Sequence, residues 1–183
     1  GAQPATPPEE VRRGDGGSTR AEDVSMDARI RWMLRRDMPE VLAIEYASFE
    51  FPWLEEDFVK CLRGRNCIGQ VAEIGDSVAG FAIYELLQWE ISLLDFAVNP
   101  HLRRQGIGTA MISHLKSRLS INHRRQLVVN VGERNIEAQK FFSALDFLAK
   151  SLVRQPYDCV DDDAYRMVYR IAAPILETEE SSL

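Results

Sequence analysis

The stretch NPHLRRQGIGTAMI, Asn99 to Ile112, sets two arginines, a glutamine and two glycines one residue apart between an apolar strand-like run and a helix-like run. A strand ending at Asn99-Pro100 and a helix starting near Gly106 leave a short turn between them. The first N–H groups of a helix have no intrahelical acceptor and carry partial positive charge. Glycines there leave room for a ligand and reach backbone angles that other residues avoid. Arg103 and Arg104 add full positive charge at the same spot. The sum predicts an anion site suited to a phosphate or pyrophosphate.

Three phosphate loops compete for this turn. A Walker A loop needs GxxxxGK followed by Ser or Thr, and the chain has none. A dinucleotide-binding GxGxxG would put its third glycine at position 111, which is Met111, and that fingerprint usually opens a domain. An acyl-CoA loop, R/Q-x-x-G-x-G/A, fits Arg103-Arg104-Gln105-Gly106-Ile107-Gly108.

The rest of the chain sets the frame. Its 183 residues, 45% hydrophobic and 27% charged, suit one domain with flexible extensions. A formal net charge of −6 argues against nucleic-acid binding as the main role. Residues 1–26, rich in Pro, Gly and charge, and the acidic end 175–183 read as disordered tails around a domain at 27–174. Cys61, Cys67 and Cys159 form no CxxC pair and are odd in number, so separate thiols in a reducing compartment are expected. No run reaches the ~18 apolar residues of a membrane span, and no basic-then-apolar leader opens the chain. A cytoplasmic protein that binds neither membrane nor metal is expected; His114 and His123 have no metal-ligand spacing.

Periodicity gives the element order. Ile30, Trp32 and Leu34 alternate as in a strand. Asp37 and Glu40 predict a capping box before a helix whose stripe is Val41, Ile44 and Tyr46 to Phe49. LEEDFVKCLRG reads as a second helix, and NCIGQVAEIGDSVAGFAIYELLQ as a hairpin turning at Gly75-Asp76-Ser77. EISLLDFAVNP is a nearly continuous apolar strand, central in its sheet. GIGTAMISHLKSRLSINH predicts a helix with Ile107, Ala110, Met111, Leu115 and Leu119 on one side. RQLVVNV is a buried strand, NIEAQKFFSALDF a helix capped by Asn135, and two closing strands follow. The order is β-α-α-β-β-β-α-β-α-β-β.

With LDFAVNP before it and NIEAQKFFSALDF after it, the glycine turn resembles that of the GNAT superfamily of acyl-CoA-dependent N-acetyltransferases. The resemblance covers about residues 28 to 173. Phe51-Pro52-Trp53 followed by LEEDF, and the spacing from Asn135 to Phe147, resemble the ribosomal-protein-alanine N-acetyltransferase (RimI-like) branch. The resemblance implies an α/β fold whose central, mixed but mostly antiparallel sheet is splayed into a V with flanking helices. It also implies acetyl-CoA as co-substrate. The implied contacts are the backbone of Phe96, Ala97 and Val98 on a bulged strand, the turn Arg103 to Thr109 at the pyrophosphate, and Asn135 and Phe142 nearer the pantetheine.

The same pattern puts a basic Glu on the fifth strand and a proton-donating Tyr on the following helix. Those positions hold Asn130 and Phe142, and the glycine before the last Phe is Asp146. Neither Asn nor Phe has a proton to exchange. Asn130 remains a candidate to orient a water or the amine. Glu90, assigned by strand parity to the side of Ser92, Phe96 and Val98, is a candidate base, and Asp95 within the same strand is the alternative. Tyr157 or Tyr84 would give the proton. An α-amine with pKa near 7.8 is roughly a seventh neutral at pH 7, and a lysine about 0.04%. A site without a strong base therefore favours a protein or peptide N-terminus, attacking directly. A non-catalytic acyl-CoA-binding module and a small-molecule amine acetyltransferase remain the alternatives.

Overall fold

A computed structural model describes residues 27–154 and 162–172. The expected tails 1–26 and 175–183 lie outside the described residues, as do Tyr157 and Cys159. The strands are β1 (Arg29–Trp32), β2 (Cys67–Ile74), β3 (Ser77–Leu86), β4 (Glu90–Val98), β5 (Gln126–Gly132), β6 (Leu148–Val153) and β7 (Ala164–Arg170). The helices are α1 (Met38–Ser48), α2 (Glu55–Leu62), α3 (Ile107–Lys116) and α4 (Ile136–Ala144). The sequence of elements is the one periodicity predicts.

The seven strands form one sheet in the order β1-β2-β3-β4-β5-β7-β6. β4 and β5 run parallel, joined across α3, and the other neighbours pair antiparallel. Helices cover both faces, which is why β3 and β4 read as almost unbroken apolar runs. On one face, Val41, Ile44 and Phe58 from α1 and α2 pack on Val71, Phe81 and Ile83. On the other, Met111, Ile112 and Leu115 of α3 and Phe142 of α4 pack on Ala82, Tyr84, Leu93 and Val129.

Four local expectations change. Asp37 does not cap α1. Its carboxylate accepts from the Leu34 N–H (2.7 Å) and from two nitrogens of Arg31 (2.7 and 2.9 Å). Glu40 accepts instead from the Val78 N–H at 2.9 Å, pinning α1 to β3. Arg31 also reaches Glu73 at 2.9 Å, so one guanidinium ties β1, β2 and the entry to α1 together. That guanidinium holds the Asp37 carboxyl below the usual carboxylate range.

The α1 stripe is rotated as well: Tyr46 is exposed while Glu45 is buried. α3 stops at Lys116 instead of running on to His123; Leu119 still packs on the core from the turn beyond. Ala110 is exposed, and Ile112 takes the core position expected of it. Finally, Cys61 and Cys67 are joined in a disulfide. They end α2 and begin β2, and the tight turn at Gly64 leaves their Cα atoms 6.1 Å apart, within bridging range. The reducing compartment inferred from separate thiols loses its basis.

Candidate active site

The site is organised by an irregularity in β4. Tyr84 of β3 pairs with Leu93 and Ile83 with Asp95, so Leu94 has no opposite residue. An extra residue in one strand is a β-bulge, and it shifts the side-chain alternation by one. Ile91 and Leu93 face α3 and α4, and beyond the bulge so do Phe96 and Val98. Leu94 and Ala97 face α1 and α2. Asp95 therefore turns toward α1, where it meets Glu45.

The bulge also overturns the parity argument for Glu90, which does not share a face with Phe96 and Val98. Glu90 accepts from Gln126 Nε2 (2.6 Å) and from an Arg166 guanidinium nitrogen (2.9 Å), bracing β4, β5 and β7. It does not line the cleft described below. Tyr84 fails as a proton donor for a different reason: it sits in the core, 1% exposed, away from the cleft.

Just beyond the bulge the sheet opens. β4 and β5 pair from Glu90–Gln126 to Leu93–Val129 and no further, although β4 runs on to Val98 and β5 to Gly132. The separation leaves a cleft of about 950 Å³. Leu93 to Val98 form one wall and Val129 to Gly132 the other. The glycine turn closes one end, and α4 contributes Ala138, Phe141 and Phe142. Asn130 faces the cleft from β5.

The turn has the conformation its glycines suggest. Gly106 takes φ +82° as N-cap of α3, and Arg104, with φ +60°, is also left-handed. Helix α3 thus starts with Ile107, Gly108 and Thr109 at the edge of the cleft. Gly108 is needed for packing: a Cβ there would stand 3.2 Å from the Phe141 ring and 3.4 Å from that of Phe96. Arg103 braces the turn, donating to Val98 O and Ser48 Oγ, both at 3.1 Å. Arg104 is exposed and lies 3.6 Å from Glu137. Gln105, exposed in the same turn, does not line the cleft. Asn135 caps α4 by accepting from the Ala138 N–H at 3.0 Å and also lines the cleft. Phe142 is buried among Phe96, Phe141 and Phe147, with ring centroids 5.1–6.1 Å away.

Two carboxyls line the cleft: Asp95, the second candidate base of the sequence reading, and Glu45, which that reading did not single out. Glu45 is 1% exposed and Asp95 9%. Glu45 Oε1 accepts from the Trp53 N–H at 2.7 Å. Glu45 Oε2 and Asp95 Oδ2 are buried and meet no N–H or O–H donor of the described chain. The two groups are within hydrogen-bonding reach of each other. Burial, then the charge and hydrogen bond of Glu45, push Asp95 up to about 8, and burial also raises Glu45. The signal in the sequence was Asp95, an acid inside the apolar run ISLLDFAV; nothing in the periodicity of α1 singled out Glu45.

A parallel strand pair splayed around a cleft, a bulged strand and a glycine turn at a helix N-terminus define an acyl-CoA-dependent transferase fold. The Acetyltransferase (GNAT) family matches residues 28–147, and the chain belongs to that family. It is an acetyl-CoA-dependent N-acetyltransferase. The [ribosomal protein bS18]-alanine N-acetyltransferase of Escherichia coli K12 is 30% identical over 138 residues, 74% of this chain and 93% of that protein. The crystal structure of the ribosomal-protein-S18-alanine N-acetyltransferase from Escherichia coli superposes with TM-score 0.70 at 27% identity, covering 81% of this chain and 98% of that one. NAA60 of Arabidopsis thaliana, crystallised with acetyl-CoA, has the same fold (TM-score 0.68, 18% identity, 79% and 99% covered).

Proposed function

We propose that the chain transfers acetyl from acetyl-CoA to the α-amino group of a protein N-terminus, by direct attack with both substrates bound. The observation that carries this reading is the cleft itself. At one end, left-handed Gly106 and the N-terminus of α3 suit the pyrophosphate of acetyl-CoA. Between them and the bulge, the diverging edges of β4 and β5 offer backbone groups to the pantetheine arm. At the bulge, the Glu45 and Asp95 carboxyls mark a place where an amine is attracted and proton chemistry is available. Among the described residues no cysteine lines the cleft, and direct attack needs none.

The acceptor is argued from chemistry and from a relative. An α-amine is neutral far more often than a lysine at pH 7, and the Escherichia coli relative acts on an alanine of bS18. In this reading residues 27–174 are the catalytic domain. A cytoplasmic setting goes with it, supported by that relative's ribosomal substrate; no helix among the described residues is long and apolar enough to cross a membrane.

The test is CoA release with three acceptors: peptides with free Ala, Ser or Met N-termini, the same peptides N-blocked with an internal lysine, and spermidine. Mass spectrometry should place the new acetyl on Nα. Transfer to lysine or spermidine, with the free N-termini unmodified, would overturn the assignment.

A further inference from the structure

The residues that align with the expected base and acid, Asn130 and Phe142, have no proton to exchange, yet the cleft holds two carboxyls that the resemblance did not assign. This inference rests on the acyl-transfer reading above. We propose that Asp95 and Glu45 hold one proton between them and carry out the proton transfers of the reaction, Asp95 as the catalytic group and Glu45 as the residue that positions and charges it.

Four observations converge. The Leu94 bulge turns Asp95 away from the α3 face and onto α1, against Glu45. Glu45 is held in turn by the Trp53 N–H, which occupies Oε1 and leaves Oε2 for another partner. That oxygen and Asp95 Oδ2 are buried with no donor from the described chain, and two carboxyls so placed satisfy each other only with a proton between them. Asp95 is not sealed off, because its 9% exposure lies on a residue that lines the cleft where β4 and β5 part.

The neighbours do not neutralise the pair. Ile83 stands opposite Asp95 on β3, and α2 brings Phe58 edge-on to Trp53. Arg103, the cation nearest α1 in the turn, is held by Ser48 and Val98 O. Beyond the pair, Arg134 and Arg154 are engaged by Asp162 and Asp163, Lys140 of α4 and Glu50 after α1 also line the cleft, and Glu40 of α1 is taken up by the Val78 N–H. Among the described residues no lysine or arginine forms an ion pair with Asp95 or Glu45. Buried acids in such surroundings destabilise a fold, and apolar residues of similar size would pack there more favourably. Packing alone does not account for them.

The chemistry closes on itself. The acceptor loses its ammonium proton to bulk water and enters as the neutral amine. Its lone pair forms the C–N bond to the thioester carbonyl carbon. The C–S bond breaks, and its electron pair leaves on sulfur. The proton that nitrogen must lose passes to Asp95, while the proton already held by the pair goes to the sulfur. One proton enters and one leaves, so the pair ends as it began. A carboxyl near 8 is matched to both partners, an α-amine at about 7.8 and a thiol at about 8.5.

The experiment compares wild type with Asp95→Asn and Glu45→Gln, reading acetyl-CoA affinity by calorimetry and kcat and kcat/KM by CoA release between pH 6 and 10, as functions of peptide concentration. Both variants should bind acetyl-CoA as wild type does. The kcat of Asp95→Asn should fall about 100-fold or more. The wild-type profile should be a bell whose alkaline limb lies near pH 8, where the pair loses its proton. In both variants that limb should vanish. An Asn at 95 can donate to Glu45 and would satisfy a purely structural role. An Asp95→Asn enzyme with kcat within threefold of wild type and an unchanged bell therefore overturns the proposal. If that variant fails to fold, carboxyl-carbon NMR of the wild type decides: a midpoint for Asp95 near pH 8 supports the pair, and one below pH 5 overturns it. A wild type that prefers spermidine to the peptides refutes the N-terminal acceptor alone, and the variants are then compared on spermidine.

Discussion

Replacing Gly106 with alanine separates backbone conformation from side-chain packing at the mouth of the cleft. A Cβ at 106 would meet nothing within 4 Å, so the substitution has no steric neighbour to displace. Its cost is conformational, because φ of +82° is a left-handed angle that costs an L-residue about 1–2 kcal/mol. The turn has two responses. It keeps its angle and lowers the stability of the fold by that amount, or it relaxes and must be restored when acetyl-CoA binds. In either case the bound state lies about 1–2 kcal/mol closer to the unfolded chain.

The measurement is a pair: calorimetric Kd for acetyl-CoA, and melting temperature with and without saturating ligand. A relaxed turn should raise Kd by about 5- to 30-fold, at 1.4 kcal/mol per factor of ten. A retained turn should leave Kd alone and lower Tm by about 3–6 °C for a domain of this size. A Gly106→Ala protein that matches wild type in both Kd and Tm would refute the reading of this turn. Gly108→Ala is the contrasting case, with ordinary backbone angles and a Cβ pressed on the Phe141 ring at 3.2 Å.

Two further expectations concern stability. Asp37→Ala leaves Arg31 without its closest partner and should cost about 2–3 kcal/mol at pH 7 in urea melts, toward the low side for a broken pair because Arg31 stays 13% exposed. Since Arg31 lowers the folded-state pKa of Asp37, the contribution is complete above the unfolded value of about 3.9 and is lost as pH falls through the folded one. The two proteins should therefore converge in strong acid; a constant gap down to pH 2 would contradict the ion pair. Asp146→Gly should raise stability by about 0.5–1 kcal/mol, because Asp146 holds a φ of +64° after α4 that glycine adopts without strain. A lower Tm in that variant would count against it.

The element order, the left-handed glycine turn before α3 and the N-cap at Asn135 were legible because each depends on local chemistry: apolar period, glycine freedom, a short polar side chain. The two carboxyls of the cleft were legible only in part: Asp95 was a second candidate, and Glu45 was not singled out. Parity counting along β4 assumes two residues per repeat, and the Leu94 bulge adds one, so the count favoured Glu90, which lies outside the cleft, over Asp95, which lines it. Nothing in EISLLDFAV marks the bulge, since its residues are as apolar as their neighbours. Glu45 was hidden for a related reason. An acid in a helix reads as solvent-facing until a loop, here Trp53, folds back to cover it. The capping box misled because Asp37 had a stronger partner from β1 than the helix offered, a cation that is distant in the pattern but adjacent in space.

The parting of β4 and β5 has a mechanical consequence. A sheet normally has two open edges, and here they are β1 and β6; the divergence creates a further pair that faces inward, shielded from other chains. The strands β1 to β4 and β5 to β7 behave as two leaves stitched along a seam of four residue pairs. A co-substrate lying in the gap beyond that seam would serve as a missing length of strand, so amide exchange in the two leaves should become slower and more concerted once acetyl-CoA is in place.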